Sequence, residues 1–219
     1  MPGGNVVLII IFIGIAIAGA IFRHLWEKKR REGFQALAHR LRMRYTQRDD
    51  SIADRYQFLN KLRQGRNRYA FNVLVGQYEG HPVQVFDYHY RTGSGKNTKD
   101  HYFSFFILEQ EKHFPELRIY PEGIFQKLGQ MIGFSDIDFE SIEFSKAFCV
   151  RSRDRKFAYD ICHTRMMEYL LQHRDLAIEI EGRCVAISFN KRLDVEQIPS
   201  RLRQLVEIRD LFPEYLLAD

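Results

Sequence analysis

The sequence predicts an α+β protein: an antiparallel-sheet domain with packed helices, carried behind an N-terminal transmembrane helix. Three observations lead there. Residues 1–22 contain no charged side chain and run from Val6 onward in Val, Ile, Leu, Phe, Ala and Gly. From Tyr69 the chain turns to extended, aromatic-rich runs joined by short polar connections, which can only pair antiparallel, since parallel strands need long crossovers. The helical patterns behind them fall in irregular order between strands instead of alternating with them, as a doubly wound fold would require.

An α-helix rising ~1.5 Å per residue needs roughly 20 apolar residues, and at least ~17, to cross the hydrocarbon layer. Val6 to Phe22 meets that limit, with Ile10, Gly14 and Ala18 along it and Trp26, the sole tryptophan, at the depth that amphipathic rings prefer. A cleaved secretory signal would open on a positive region, yet no Lys or Arg precedes Arg23. Beyond the span come Arg23, Lys28, Lys29, Arg30 and Arg31. Such a cluster resists translocation and holds its end of the helix in the cytoplasm, and all five side chains are expected to face lipid. The expected location is therefore the inner (plasma) membrane, single-pass, with the C-terminal part cytoplasmic. Gly14 with Ala18, and Ala16 with Ala20, smooth one helix face and would let a second copy approach in a homo-oligomer.

The net charge of +5 divides unevenly: residues 1–48 hold nine Lys and Arg against Glu27 and Glu32, so +7 lies there and −2 in the rest. Basic residues beside a span are attracted to anionic lipid by ~1 kcal/mol each, which accounts for the charge with membrane lipid as partner and no nucleic acid. The domains expected are an anchor over 1–26, a basic juxtamembrane helix over 27–48 (apolar face Phe34, Leu37, Ala38 and Leu41) and a cytoplasmic domain over 49–219. Cys149, Cys162 and Cys184 are odd in number and lack CxxC spacing, as expected of reduced thiols.

Within the domain a short helix is expected over Ile52–Leu62, then strands over 69–78, 83–90, 102–109 and 117–120. On the second of these, Val83, Val85, Asp87 and His89 share one face and Gln84, Phe86, Tyr88 and Tyr90 the other. A helix is expected from Pro121 to Met131, a strand over 136–144 from the alternation of Asp136, Asp138 and Glu140 with Ile137 and Phe139, and another strand over 147–152. Residues 155–173 read as a helix broken near His163, residues 176–189 as a hairpin turning at Glu181 and Gly182, and the end as a helix capped by Asp194 and Gln197. About seven strands closed by a C-terminal helix, read from strand signals of this kind, also suit a pleckstrin-homology-like roll.

Motifs for chemistry are sparse. Gly93 to Thr98 imitates the end of a phosphate-binding loop, but Tyr90 stands where its first Gly belongs and Asn97 where Ser or Thr should follow Lys96. A hairpin symmetric about Gly95 would set His89 opposite His101, with Lys96 at the tip, a possible ligand contact. A metal site needs three or four convergent groups, and no carboxylate or Cys completes the pair at fixed spacing. Asp160 and His163 have no nucleophile at a suitable offset. No cofactor is expected.

Phe86, Asp87 and Tyr88 with Thr92 to Lys96, then Phe139, Glu140, Ser141, Glu143 and Phe144, then Val150, Arg151 and Ser152, resemble an uncharacterised bacterial family of membrane-associated proteins with a domain of unknown function, over roughly residues 33 to 190. That resemblance implies no activity and carries over no catalytic residue. The reading that results is a single-pass, non-catalytic domain that binds a protein or lipid headgroup at the inner membrane surface. Two alternatives stay open: a membrane-tethered hydrolase or metal-dependent enzyme using His89, His101 or the carboxylates near Asp138, and an oligomeric membrane scaffold.

Overall fold

The computed structural model describes residues 3–125 and 137–218. Its first element, α1 (Gly3–Leu41), is one 39-residue helix that begins in the apolar run and ends inside the domain. Among the described residues it is the one helix long and apolar enough to cross a membrane. Ile10, Phe12, Ile15 and Phe22 are exposed along it, whereas Phe34, Leu37 and Ala38 are buried. Its upper part therefore has no protein to pack against and its lower part is core. The helix stops short of the expected residue 48 because Arg42 takes a left-handed conformation, φ 55°. The Arg42 N–H then donates to His39 O and the Met43 N–H to Ala38 O, the paired bonds that terminate a helix. Arg44–Asp49 form a strand, β1, instead.

After a short helix, α2 (Ser51–Arg55), the sheet runs through β2 (Arg66–Tyr78), β3 (His81–Thr92) and β4 (Lys99–Pro121). The expected strands at 102–109 and 117–120 are thus two halves of one 23-residue strand. Next come α3 (Glu122–Phe125), α4 (Ile142–Ala147), β5 (Phe148–Ser152), α5 (Arg155–Ile161), α6 (Thr164–Gln172) and β6 (Ala177–Ser188). The chain closes with α7 (Ile198–Asp210) and α8 (Glu214–Leu217). The helix expected to Met131 lies outside the described residues beyond Phe125, as does Asp136. All pairings are antiparallel, in the order β1-β2-β3-β4-β5 with β6 also on β4.

Two expectations are corrected. Residues 177–188 are not a hairpin: both halves pair with β4, from Phe105↔Ser188 to Ile119↔Ile178. A two-residue hairpin of type I′ needs positive φ at both central positions; Gly182 has it, Glu181 does not. Gly182 instead allows a bulge that follows the irregularity of β4 between Glu109 and Leu117. Nor do residues 137–144 form a strand. Ser141 accepts a hydrogen bond from Phe144 N and caps α4, so the break in alternation there marks a helix start. The break at His163, between α5 and α6, and the Asp194–Gln197 capping box are present as expected.

Each face of the sheet has its own core. Val83, Val85, Phe106 and Leu117 pack with Phe34 and Leu37 of α1 and with Leu202 and Leu205 of α7. Phe86, Tyr88, Phe103, Phe105 and Ile107 pack on the opposite face beneath Ile52, Tyr56, Leu59 and Leu62. The face assignment read along β3 holds, and its polar members, Asp87 and His89, lie toward the base of the apolar helix.

Candidate functional site at the base of the apolar helix

The site is built around a buried carboxylate. Asp87 is fully buried on β3, where an unpaired charge would be prohibitive. Arg30 of α1 meets it in a fork, Nε to Oδ2 and Nη2 to Oδ1, both at 2.7 Å, and its Nη1 donates to Leu193 O at 2.7 Å. Asn72 Nδ2 donates to Oδ2 and Ser104 Oγ to Oδ1, each at 3.0 Å. Ser104 Oγ in turn accepts from Leu193 N. Asn72 reaches Asp87 because it sits at a left-handed φ of 51° within a β2 register shift, a position Asn tolerates better than most residues. Four carboxylate acceptor sites are thereby used by α1, β2 and β4, and the Phe34 and Trp26 rings flank the guanidinium. Arg30, expected to face lipid with its neighbours, is 6% exposed: it is the clamp that joins the apolar helix to the sheet.

One turn toward the N-terminus of α1, Arg192 spans the next gap. It pairs with Glu27 of α1 at 2.8 Å and stands over the Trp26 ring at 4.5 Å and the Tyr102 ring at 5.3 Å. Tyr69, His89 and Tyr102 follow on neighbouring strands with ring centres 4.6 and 4.7 Å apart, and Arg48 lies 4.0 Å over Tyr69. Beside these groups lies a cleft of about 340 Å³ between α1 and the sheet. Arg23, Glu27 and Arg31, four residues apart on one helix face, line one wall; Arg48, Tyr69, Phe71, Tyr102 and Arg192 line the other.

The remaining expected site residues divide. Ile10, Gly14, Ala18 and Phe22 lie on α1, and a Cβ added at Gly14 would meet nothing within 4 Å; Val6 is also on this helix. Lys28 and Lys29 are exposed. His89 and His101 are not opposite each other: the register pairs His89 with Tyr102 and Tyr90 with His101, one residue off symmetry about Gly95. The slip arises because Gly95–Asn97 make a helical turn at the tip, which leaves Lys96 exposed. His89 places Nδ1 2.9 Å from Asn67 O and Nε2 2.7 Å from Asp100, so both nitrogens are taken. Asp100, held by Arg91 and His89, is lowered to about 2. His101 bonds Thr92 and stacks on Tyr90 at 4.5 Å.

Chemically, the cleft offers guanidinium groups and aromatic faces, which bind anions and amphiphiles. Cys162 and Cys184 are buried thiols whose pKa values rise because burial disfavours the thiolate, that of Cys184 to about 12. Among the described residues no cluster of three or more His, Cys, Asp or Glu could hold a metal ion. The sequence singles out Arg23 and Arg31 only as basic residues expected to face lipid, and it does not single out Glu27, Asp87, Arg192 or the aromatic wall as parts of a site. Asp87 had a signal, a lone acid on the apolar face of a strand; Arg192 had none, since only the folded chain brings it to Trp26.

No protein-family model matches the chain, and no curated protein matches it in sequence. The crystal structure of the mycobacterial trehalose monomycolate transport factor A, TtfA, superposes with a TM-score of 0.63 at 16% identity, covering 84% of this chain and 95% of that one. At that identity the likeness shows the fold: an α+β body on an antiparallel sheet.

Proposed function

We propose that this chain is a single-pass, membrane-anchored, non-catalytic domain that binds a lipid headgroup or a protein at the inner membrane surface, with its C-terminal body in the cytoplasm and residues 1–26 as anchor. The observation that carries this reading is the unbroken α1, whose exposed apolar half leads directly into a half clamped to the sheet by Arg30 and Asp87. A continuous helix transmits position, so the cleft is held at a set height below the span. The cationic residues that follow Phe22 favour the cytoplasmic side. The structural neighbour is a transport factor for trehalose monomycolate, an amphiphile; we take from this only the class of occupant, a lipid.

The test is alkaline carbonate extraction of the full chain, combined with a reporter fused at the C-terminus. The protein should stay with the membrane pellet and the reporter should read as cytoplasmic. Release into the supernatant, a mature chain lacking its first two dozen residues, or an external reporter would each overturn the proposal.

A further inference from the structure

We infer that the cleft at the base of α1 is a binding site for the phosphoryl headgroup of an anionic lipid drawn from the bilayer that holds α1. This inference rests on the anchoring proposed above. Four guanidinium groups and one carboxylate line the cleft, and that carboxylate, Glu27, is already matched by Arg192. Arg48 pairs with Asp50, which is not part of the lining. Arg23 and Arg31 form no ion pair among the described residues. They stand eight positions apart on one helix face, about 12 Å along the axis, so the site starts one residue past Phe22 and reaches down through the headgroup layer. The opposite wall is aromatic: Tyr69, Phe71 and the exposed Tyr102, suited to the glycerol and upper acyl carbons of a lipid and of little use to a free inorganic anion. Arg48 and Arg192 rest on ring faces, so two of the cations are positioned before any ligand arrives, which lowers the ordering cost of binding. A volume of about 340 Å³ accepts a headgroup and excludes a folded peptide element.

The test uses the full chain in nanodiscs of neutral phosphatidylcholine, so a null result bears on the cleft and leaves the anchoring to the carbonate experiment. Trp26, the only tryptophan, stacks under Arg192 of the cleft lining at 4.5 Å and reports by its emission. Titration with dihexanoyl phosphatidylglycerol, kept below its micelle concentration, should give a saturable change. Arg31→Gln combined with Arg48→Gln should weaken apparent affinity at least tenfold, and Arg23→Gln, on the exposed helix, should weaken it in the same direction. Lys28→Gln with Arg40→Gln removes two charges from α1 outside the cleft and should change affinity less than twofold. The inference is overturned if phosphatidylglycerol leaves the emission unchanged, if the control pair loses as much affinity as the cleft variants, or if inorganic phosphate saturates the response in the same concentration range.

Discussion

Arg30 shows how little a residue's class says about its place. It stands within a run of four cations, Lys28 to Arg31, yet it alone is buried, because it reaches Asp87 of β3, held between Asn72 and Ser104. Removing one member of such a pair strands the other in a low-dielectric interior, which costs about 3–5 kcal/mol, whereas replacing both by apolar groups of similar volume is often close to neutral. Asp87→Asn should therefore lower the unfolding free energy of the full chain, read from urea titrations in mild detergent, by an amount in that range. Arg30→Met with Asp87→Leu should recover most of the loss of either single variant, Arg30→Met or Asp87→Leu, a double-mutant cycle that an additive result would contradict. Lys61 is a second buried charge, with its ammonium 3.1 Å from Asn190 Oδ1 and its pKa lowered to about 8 by burial. Between that value and its ordinary 10.5 the unfolded chain binds a proton that the folded chain does not, so this group's contribution to stability rises with pH through that window. Burial raises the thiols and tyrosines, which pulls the other way above their ordinary values; the difference between wild type and Lys61→Met isolates the lysine. That difference should move in favour of wild type from pH 8 to 10.5 in parallel urea titrations.

Helix ends and strand breaks are governed by local backbone chemistry, and here that chemistry can be tested directly. Arg42 ends α1 in the left-handed region, a conformation that costs a residue with a Cβ roughly 1–2 kcal/mol. Its side chain is exposed, so Arg42→Gly should raise stability by about 1 kcal/mol once glycine's extra freedom in the unfolded chain is subtracted. Ser141→Ala, which removes the cap on Phe144 N, should lower it by about 1 kcal/mol, and thermal melts of the two variants would move in opposite directions. The same elements show what could be read before folding. The faces of β3 were legible because a period of two survives whatever the strand pairs with, and the Asp194 box because both its bonds are local. The 177–188 strand was misread because Glu181 and Gly182 permit either a turn or a bulge, and the choice between them depends on β4, some seventy residues earlier in the chain. Ser141 was misread because alternating Asp136, Asp138 and Glu140 fit a strand, and the break in alternation at Ser141 suits a strand's end as well as a helix start. The helix side of the cleft could be read as cations next to a span; the sheet side, with contacts such as Arg192 to Glu27 across 165 positions, is a product of topology.

Taken as one body and anchored as proposed, the protein would couple depth in the bilayer to the position of the cleft, because no break interrupts α1 between Phe22 and Arg30. This is different from a domain on a flexible tether, whose distance from the membrane would vary with the tether's conformation. The difference predicts the effect of an insertion that leaves every cleft residue intact. Eight helix-forming polar residues placed between Phe22 and Arg23 would move Trp26, the clamp and the cleft about 12 Å away from the hydrocarbon. In nanodiscs containing lipids brominated on the acyl chains, quenching of Trp26 should then fall severalfold relative to the parent chain. The urea midpoint should stay unchanged, since the inserted turns lie above the Arg30–Asp87 clamp and touch neither core. A tethered domain free to return to the surface would keep its quenching despite the insertion. Inserting the same eight residues after Leu41, below the clamp, should have the reverse signature: Trp26 stays at its depth while the bonds from Arg42 and Met43 that end α1 are lost and the midpoint drops. Those two outcomes, read in the same pair of measurements, separate a helix that fixes height from one that merely retains the protein at the membrane.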